Sequence, residues 1–272
     1  MSLTTLPIPV QPQAGVATIP DFGFATFCRN ASELGGGDVC EVLRLSGSSL
    51  LLIMADVMGK GAGASVFAGA FRTLARAVAH PQVDPAACLA EINELMFSEL
   101  SKKDTFITAQ LVVADLKNRQ LLVANAGHCP MLVADGFHSV QAFAPQGMPL
   151  GVEPRPSFES DCVPLEPFSS VLLYTDGITE TRNASGKLFG QQRLERWFSK
   201  AGTTQGTAAQ LKAGLLRHIE QFQGEGSAHD DQSFLFLADE TPRPVMVPSR
   251  ESLAWFLPRR RRTQAASLTV ME

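Results

Sequence analysis

An α+β fold built on antiparallel sheet is what the sequence predicts, and three features predict it. Short β-branched and leucine-rich runs bounded by Gly, Asp or Asn alternate with a few longer segments of helical periodicity between Phe22 and about Leu237. Two pairs of these runs are joined by short polar links, Arg44-Leu-Ser-Gly-Ser-Ser49 and Asp115-Leu-Lys-Asn-Arg-Gln120, which suit hairpins better than the crossovers of a parallel sheet. The composition, 45% hydrophobic and 18% charged over 272 residues, fits one large folded domain with tails.

Residues 1–20 carry four prolines and few large apolar groups, so they read as an extended N-terminal arm. Strands are then expected at Gly23 to Arg29, Val39 to Leu45 and Ser49 to Val57, the last holding the most apolar run of the chain. A helix over Ala62 to Ala79 ends at His80-Pro81, since proline cannot continue it. In the next helix, Pro85 to Leu100, the residues Leu89, Ile92, Leu95, Met96 and Leu100 recur at helical spacing. Further strands follow at Thr105 to Asp115, Gln120 to Ala126, Met131 to Ala134 and Val171 to Thr175. A helix over Thr207 to Phe222 and a strand over Gln232 to Leu237 close the body, residues 21–240. Residues 241–272, with prolines at 242, 244, 248 and 258, read as a separate Pro/Arg-rich tail.

Several classes are excluded or disfavoured. No apolar run approaches the roughly 18 to 20 residues of a membrane span, and the N-terminus lacks a basic start with an apolar stretch, so a cytoplasmic protein is expected. Five widely spaced cysteines without a C-x-x-C pair signal neither a disulfide framework nor a thiolate zinc site; they read as reduced, mostly buried thiols. The formal charge is −4, but the tail holds six Arg against Glu251 and Glu272, leaving −8 on residues 1–240. An acidic body is a poor nucleic-acid binder, and no nucleic-acid partner is expected.

Four carboxylates occupy places where a solvated charge is not the natural reading. Asp38 follows three glycines; Asp56 ends the strand Leu50-Leu-Leu-Ile-Met-Ala55; Asp176 ends Val171-Leu-Leu-Tyr-Thr175; Asp230 precedes the last strand. A carboxylate at the end of a buried strand is partly desolvated, which is costly unless a cation or donors compensate it. Any one of them alone suits a turn or a helix cap, and Asp56 has the helix near Ala62 to cap. Together they suggest a shared cation site, and an all-oxygen donor set favours Mg²⁺ or Mn²⁺ over zinc. Two such ions about 3.5 to 4 Å apart would acidify a water and align it for in-line attack on phosphorus.

Six ordered motifs make the pattern recognisable: Glu33-Leu-Gly-Gly-Gly-Asp38, Ala55-Asp-Val-Met-Gly-Lys-Gly61, Ala124-Asn-Ala-Gly-His-Cys-Pro130, Met148-Pro-Leu-Gly-Val152, Leu173-Tyr-Thr-Asp-Gly-Ile-Thr-Glu180 with Asn183 and Leu188-Phe-Gly190, and His229-Asp-Asp-Gln-Ser233. The body resembles the SpoIIE/RsbU branch of the PP2C-like (PPM) metal-dependent serine/threonine phosphatases. The resemblance implies a four-layer αββα sandwich of two antiparallel sheets with two Mn²⁺ or Mg²⁺ ions at one end. It implies that Asp56 bridges both metals, that Val57 offers its carbonyl, that Asp176 and Asp230 bind one metal, and that Asp38 completes the site directly or through water. It further implies direct attack by a metal-bridging water on phosphoserine or phosphothreonine, and a phosphorylated anti-sigma-factor antagonist as substrate in bacterial partner switching. Two departures stand out. Val39, Cys40 and Glu41 replace the common aromatic pair and further Asp, and no Arg matches the phosphate clamp of the eukaryotic enzymes.

Other residues carry weaker signals. His128 reads as part of a turn in which it bonds backbone groups and Gly127 supplies an unusual φ, rather than as a catalytic histidine. Lys60, between two glycines, either attracts phosphate or is a solvated loop lysine. The two outer helices pack on a sheet and, by the resemblance, offer a regulatory protein a place to act. The tail segment Leu253-Ala-Trp-Phe-Leu257 with Pro258-Arg-Arg-Arg-Arg262 docks on an acidic partner or anionic membrane surface, folds back on the acidic body, or stays free. Two other function classes compete: a phosphoprotein-binding regulator that keeps the fold without turnover, and a metal-dependent nuclease, which the acidic body argues against.

Overall fold

Every residue from Leu50 to Ala55 in strand β3 (Ser49–Val57) is buried, so this strand needs apolar cover on both faces. The computed structural model, which describes residues 21–33, 35–136, 139–202, 206–226 and 228–242, shows how it obtains that cover. Leu51 and Ile53 point to one core, with Phe71, Leu89 and Ile92 from helices; Leu50, Leu52 and Met54 point to another, with Val171, Leu173, Leu235 and Leu237 from a second sheet.

The first sheet has the order β2 (Val39–Arg44), β3, β4 (Ile107–Asp115), β5 (Gln120–Ala126), β8 (Ser160–Pro164). The second runs β1 (Phe22–Arg29), β10 (Gln232–Asp239), β9 (Ser170–Tyr174), β6 (Met131–Ala134), β7 (Val140–Phe143). Neighbouring strands are antiparallel throughout. Helices α1 (Ala62–Val78) and α2 (Pro85–Lys102) cover the first sheet. Helices α4 (Gln191–Ala201) and α5 (Ala208–Gln223) cover the second, where Leu194, Phe198, Leu211 and Leu215 meet Leu172, Tyr174, Phe234 and Phe236. Three cores between four layers make an αββα sandwich. Truncating one of the large side chains in them, such as Phe236→Ala, costs roughly 3–5 kcal/mol.

Local chemistry sets the boundaries. Asp84 caps α2 by accepting from the Ala86 N–H at 3.0 Å, with Pro85 at the first helical position. Thr207 and Gln210 form a reciprocal capping box on α5. The link between β4 and β5 is held by Asp115, whose carboxylate accepts from the backbone and side chain of Asn118.

The expected hairpins are both present, and the expected strands and helices recur with ends shifted by a few residues. β7, β8 and α4 were not expected. In β8 only Val163 is buried, so that segment shows no apolar period, whereas α4 carries Leu194, Trp197, Phe198 and Ala201 at helical spacing within a short, otherwise polar segment. The cysteines depart from expectation: only Cys88 is buried, Cys40 and Cys129 are half-buried, and Cys28 and Cys162 are exposed. Among the described residues no helix is long and apolar enough to cross a membrane. The N-terminal arm and the apolar and Arg-rich part of the tail lie outside the described residues.

Candidate active site

The antiparallel register delivers the four carboxylates to one end of the sandwich. In the first sheet Val39 pairs with Ala55, so Asp38, just before β2, comes beside Asp56 near the end of β3. In the second, Tyr174 pairs with Phe234, which sets Thr175 and Asp176 beside the segment 230–233 that leads into β10. The two sheet ends are tied together: the Thr175 hydroxyl donates to Asp38 Oδ2 at 2.9 Å, and the Thr175 N–H donates to the Ser233 carbonyl at 3.0 Å. Asp176 opens a single helical turn, α3 (Asp176–Thr179).

Asp231, which the sequence reading passed over in favour of its neighbour, organises the approach. Its buried carboxylate accepts from the Ala31 N–H and the Gly37 N–H, each at 2.7 Å. The glycines before Asp38 are needed for closeness. A Cβ on Gly36 would sit 2.3 Å from Asp231 Oδ2, and one on Gly37 would sit 2.7 Å from the Val57 carbonyl oxygen. The Val57 N–H in turn donates to the Gly37 carbonyl at 3.3 Å. The doubled Asp230-Asp231 was the available signal, since one acid can serve structure while the other faces the cleft.

The site is rich in uncompensated negative charge. Burial, then repulsion from Asp38, Asp176, Asp230 and Asp231, pushes the Asp56 carboxyl up to about 8. Burial likewise raises Asp38 to about 7, opposed by the neighbouring Ser233 and Thr175 hydroxyls. Asp176 is raised by burial and by Glu180 and Asp230. Asp56 does not cap α1, whose N-cap is Gly61 at φ 76 with no side-chain cap bond. Among the described residues, no three His, Cys, Asp or Glu side chains already stand in an arrangement that encloses a cation. The acids are gathered but not closed around a point.

Beside them lies a cleft of about 200 Å³ lined by Lys60, Gly177, Glu180, Arg182, His229 and Asp230. Lys60 is neither free nor merely solvated. Its ammonium pairs with Asp230 Oδ1 at 3.0 Å and donates to the His229 carbonyl. Gly177 is required by contact, because a Cβ there would fall 1.8 Å from the Asp231 carbonyl oxygen.

The match to known proteins fits this geometry. The model of the Stage II sporulation protein E (SpoIIE) family covers residues 46–238, well over half of the sequence. The chain belongs to the SpoIIE family. It is similar to the phosphoserine phosphatase RsbU of Bacillus subtilis, 24% identical over 144 residues, which are 52% of this chain and 42% of RsbU. Among solved structures it is similar to the SiaA-PP2C domain of Pseudomonas aeruginosa, with a TM-score of 0.70 and 24% identity over 79% of this chain and 85% of that one. It is also similar to RsbX in complex with magnesium, with a TM-score of 0.60 and 15% identity over 80% of this chain and 94% of that one. The chain spans less than half the length of the curated relatives it matches, 29% and 42%. The fold is therefore the PP2C-like sandwich of the SpoIIE/RsbU branch.

Within this SpoIIE-family fold His128 is held as a turn. The Asn125 side chain clasps its backbone from both sides, at 2.8 Å and 3.0 Å, and Gly127 has φ 67. Its ring bonds a side chain, with Nδ1 2.8 Å from the Thr108 hydroxyl. Burial pushes the imidazole down to about 4. Asn183 is also a loop organiser, its side-chain oxygen accepting from the N–H groups of Ser185 and Lys187.

Proposed function

We propose that this chain is a metal-dependent protein serine/threonine phosphatase that hydrolyses phosphoserine or phosphothreonine. The observation that carries this reading is the convergence of Asp38, Asp56, Asp176 and Asp230 from two sheets, with burial and mutual repulsion raising Asp38, Asp56 and Asp176. Among the described residues no cation or hydrogen-bond donor meets the Asp56 carboxylate, so its desolvation is left without compensation. Such a cluster is costly in a protein that has no use for it.

The donor set suits two Mn²⁺ or Mg²⁺ ions: the carboxylates of Asp38, Asp56, Asp176 and Asp230 and the Val57 carbonyl are all hard oxygens. When bound, such ions supply charge to the phosphoryl oxygens and lower the pKa of a water for in-line attack. The chain's own part is placement. Thr175 orients Asp38, and Asp231 fixes Gly37, which holds the Val57 backbone in line. Lys60 and Arg182, at the cleft, are the cationic side chains available to a substrate phosphate.

Similarity to the phosphoserine phosphatase RsbU supports phosphoserine as the target, and membership of its branch supports a phosphorylated anti-sigma-factor antagonist in the cytoplasm as the substrate. Val66 on α1 and Leu95 on α2, 70% and 56% exposed, support a regulatory protein at the outer helices. The test is hydrolysis of p-nitrophenyl phosphate and a phosphoserine peptide with Mn²⁺, with EDTA and Asp56→Asn as controls. Turnover that persists in EDTA or in the variant overturns the metal mechanism. A folded, Mn²⁺-binding protein inert on phosphopeptides and on phosphorylated antagonists favours the non-catalytic binder instead.

A further inference from the structure

Three strands meet near this end of the sandwich and bring two thiols together. Cys28 on β1 stands opposite Ser233 of β10. Cys40 on β2, in the other sheet, reaches across so that its Sγ lies 3.6 Å from the carbonyl oxygen of Phe234, the next residue of β10. Side-chain alternation explains the meeting. Phe22 on β1 and Cys40 and Val42 on β2 all pack against the core between the sheets, and Cys28, an even number of residues from Phe22, points the same way. The two thiols are close enough for each to perturb the other's ionisation, with Cys28 exposed and Cys40 half-buried.

We infer that Cys28 and Cys40 form an oxidisable dithiol, which a hydroperoxide converts to a disulfide bridging the two sheets beside Asp38. The Cys28 sulfur takes the terminal oxygen of the hydroperoxide; the O–O bond breaks, and the remaining oxygen leaves with a proton as water or alcohol. The Cys40 sulfur then attacks the Cys28 sulfenic acid; the S–O bond breaks and its oxygen leaves as water. The two thiols lose two electrons and two protons, and the hydroperoxide is reduced. Its exposure, with Cys40 and the Ser233 hydroxyl beside it and the cations Arg72 and Lys212 further off, favours Cys28 as the attacking sulfur. The other thiols lack one part of this arrangement: Cys88 is buried, Cys129 is half-buried among Asp56 and Asp176, and Cys162 is exposed on the far edge strand β8. This inference is independent of the phosphatase reading.

The experiment is peptide mapping of the reduced full chain after brief exposure to hydrogen peroxide and alkylation. The expected product is a Cys28–Cys40 linked peptide, lighter by two hydrogens and released by dithiothreitol. In Cys40→Ser the sulfenic acid is stranded on Cys28, and dimedone labels it about tenfold faster than it labels Cys162. A different pairing, a mainly intermolecular disulfide, or Cys28 labelling no faster than Cys162 overturns the inference. The wild-type map needs no variant, so the test holds even if Cys40→Ser fails to fold.

Discussion

Two carboxylates near opposite ends of β10 stand in opposite circumstances. At the far end Asp239 is almost fully buried, yet it accepts from the Thr241 hydroxyl, from Arg119, from the Phe168 N–H at 2.8 Å and from the Thr241 N–H at 3.0 Å. Those partners hold its carboxyl below the ordinary range despite the burial. At the near end Asp56, brought close by the segment before β10, is raised to about 8 because its neighbours are other acids. A buried carboxylate whose lone pairs are all met is part of the scaffold. One left unmet among its like marks where something else is meant to bind.

The sharpest way to break this comparison is to neutralise one acid at each end. Asp56→Asn is expected to lower phosphatase activity by at least on the order of 10²–10³-fold, the size seen when one group stabilising transition-state charge is lost. In metal-free protein it is expected to raise the melting temperature at neutral pH, since it removes a carboxyl whose ionisation burial and the neighbouring acids oppose. Calorimetry with and without EDTA checks both halves; a variant less stable than wild type without metal would show that Asp56 has a structural partner.

Asp239→Ala should do the reverse. Removing it takes the carboxylate from Arg119, which keeps the Leu165 and Glu166 carbonyls, and leaves the Phe168 and Thr241 N–H groups without it, and roughly 2–4 kcal/mol of stability should be lost. Urea denaturation measures this, and the folded fraction should turn over substrate at the wild-type rate.

An effect opposite in sign at the two ends is expected in the pH dependence of stability. Asp38 and Asp56 are raised from the ordinary 3.8 to about 7 and about 8. The folded state therefore holds protons that the unfolded state releases. Their contribution is greatest in acid and is lost as pH rises from about 4 through 8. Asp239 is depressed, so its contribution is present above the ordinary carboxylate range and is lost as pH falls through its folded pKa. Denaturation across pH in EDTA should show the upper slope, and Asp38→Asn/Asp56→Asn should flatten it. An unchanged slope in the double variant would mean that these acids are not the titrating groups.

How much of this was legible beforehand follows from the same physics. β3 and β10 could be read because runs such as Leu50 to Ala55 are apolar on both faces, and Asp38, Asp56, Asp176 and Asp230 because each ends or precedes such a run. β8 could not, because an edge strand with one buried residue carries no period. Thr175 and Asp231 were hidden for a different reason. Their roles depend on which strand ends become neighbours, with Thr175 reaching Asp38 across 137 positions and Asp231 reaching Gly37 across 194. Cys28 and Cys40 likewise became a pair only once the two sheets were stacked.

The smallest expected effect concerns Lys60, a cation that the structure sets against the near-end acids. Its pair with Asp230 is half-exposed on both sides, 50% and 40%, so Lys60→Ala should change folding stability by less than about 1 kcal/mol. Its larger consequence is competition. The ammonium's charge, held on Oδ1 of Asp230, opposes a divalent ion approaching the same carboxylate. Lys60→Ala is therefore expected to tighten Mn²⁺ binding about two- to fivefold, the equivalent of the modest free energy of an exposed ion pair. Titration calorimetry gives the affinity directly. Weaker binding in the variant would mean that Lys60 supports the site rather than guarding it, and the near end would then have a cationic partner as the far end has Arg119.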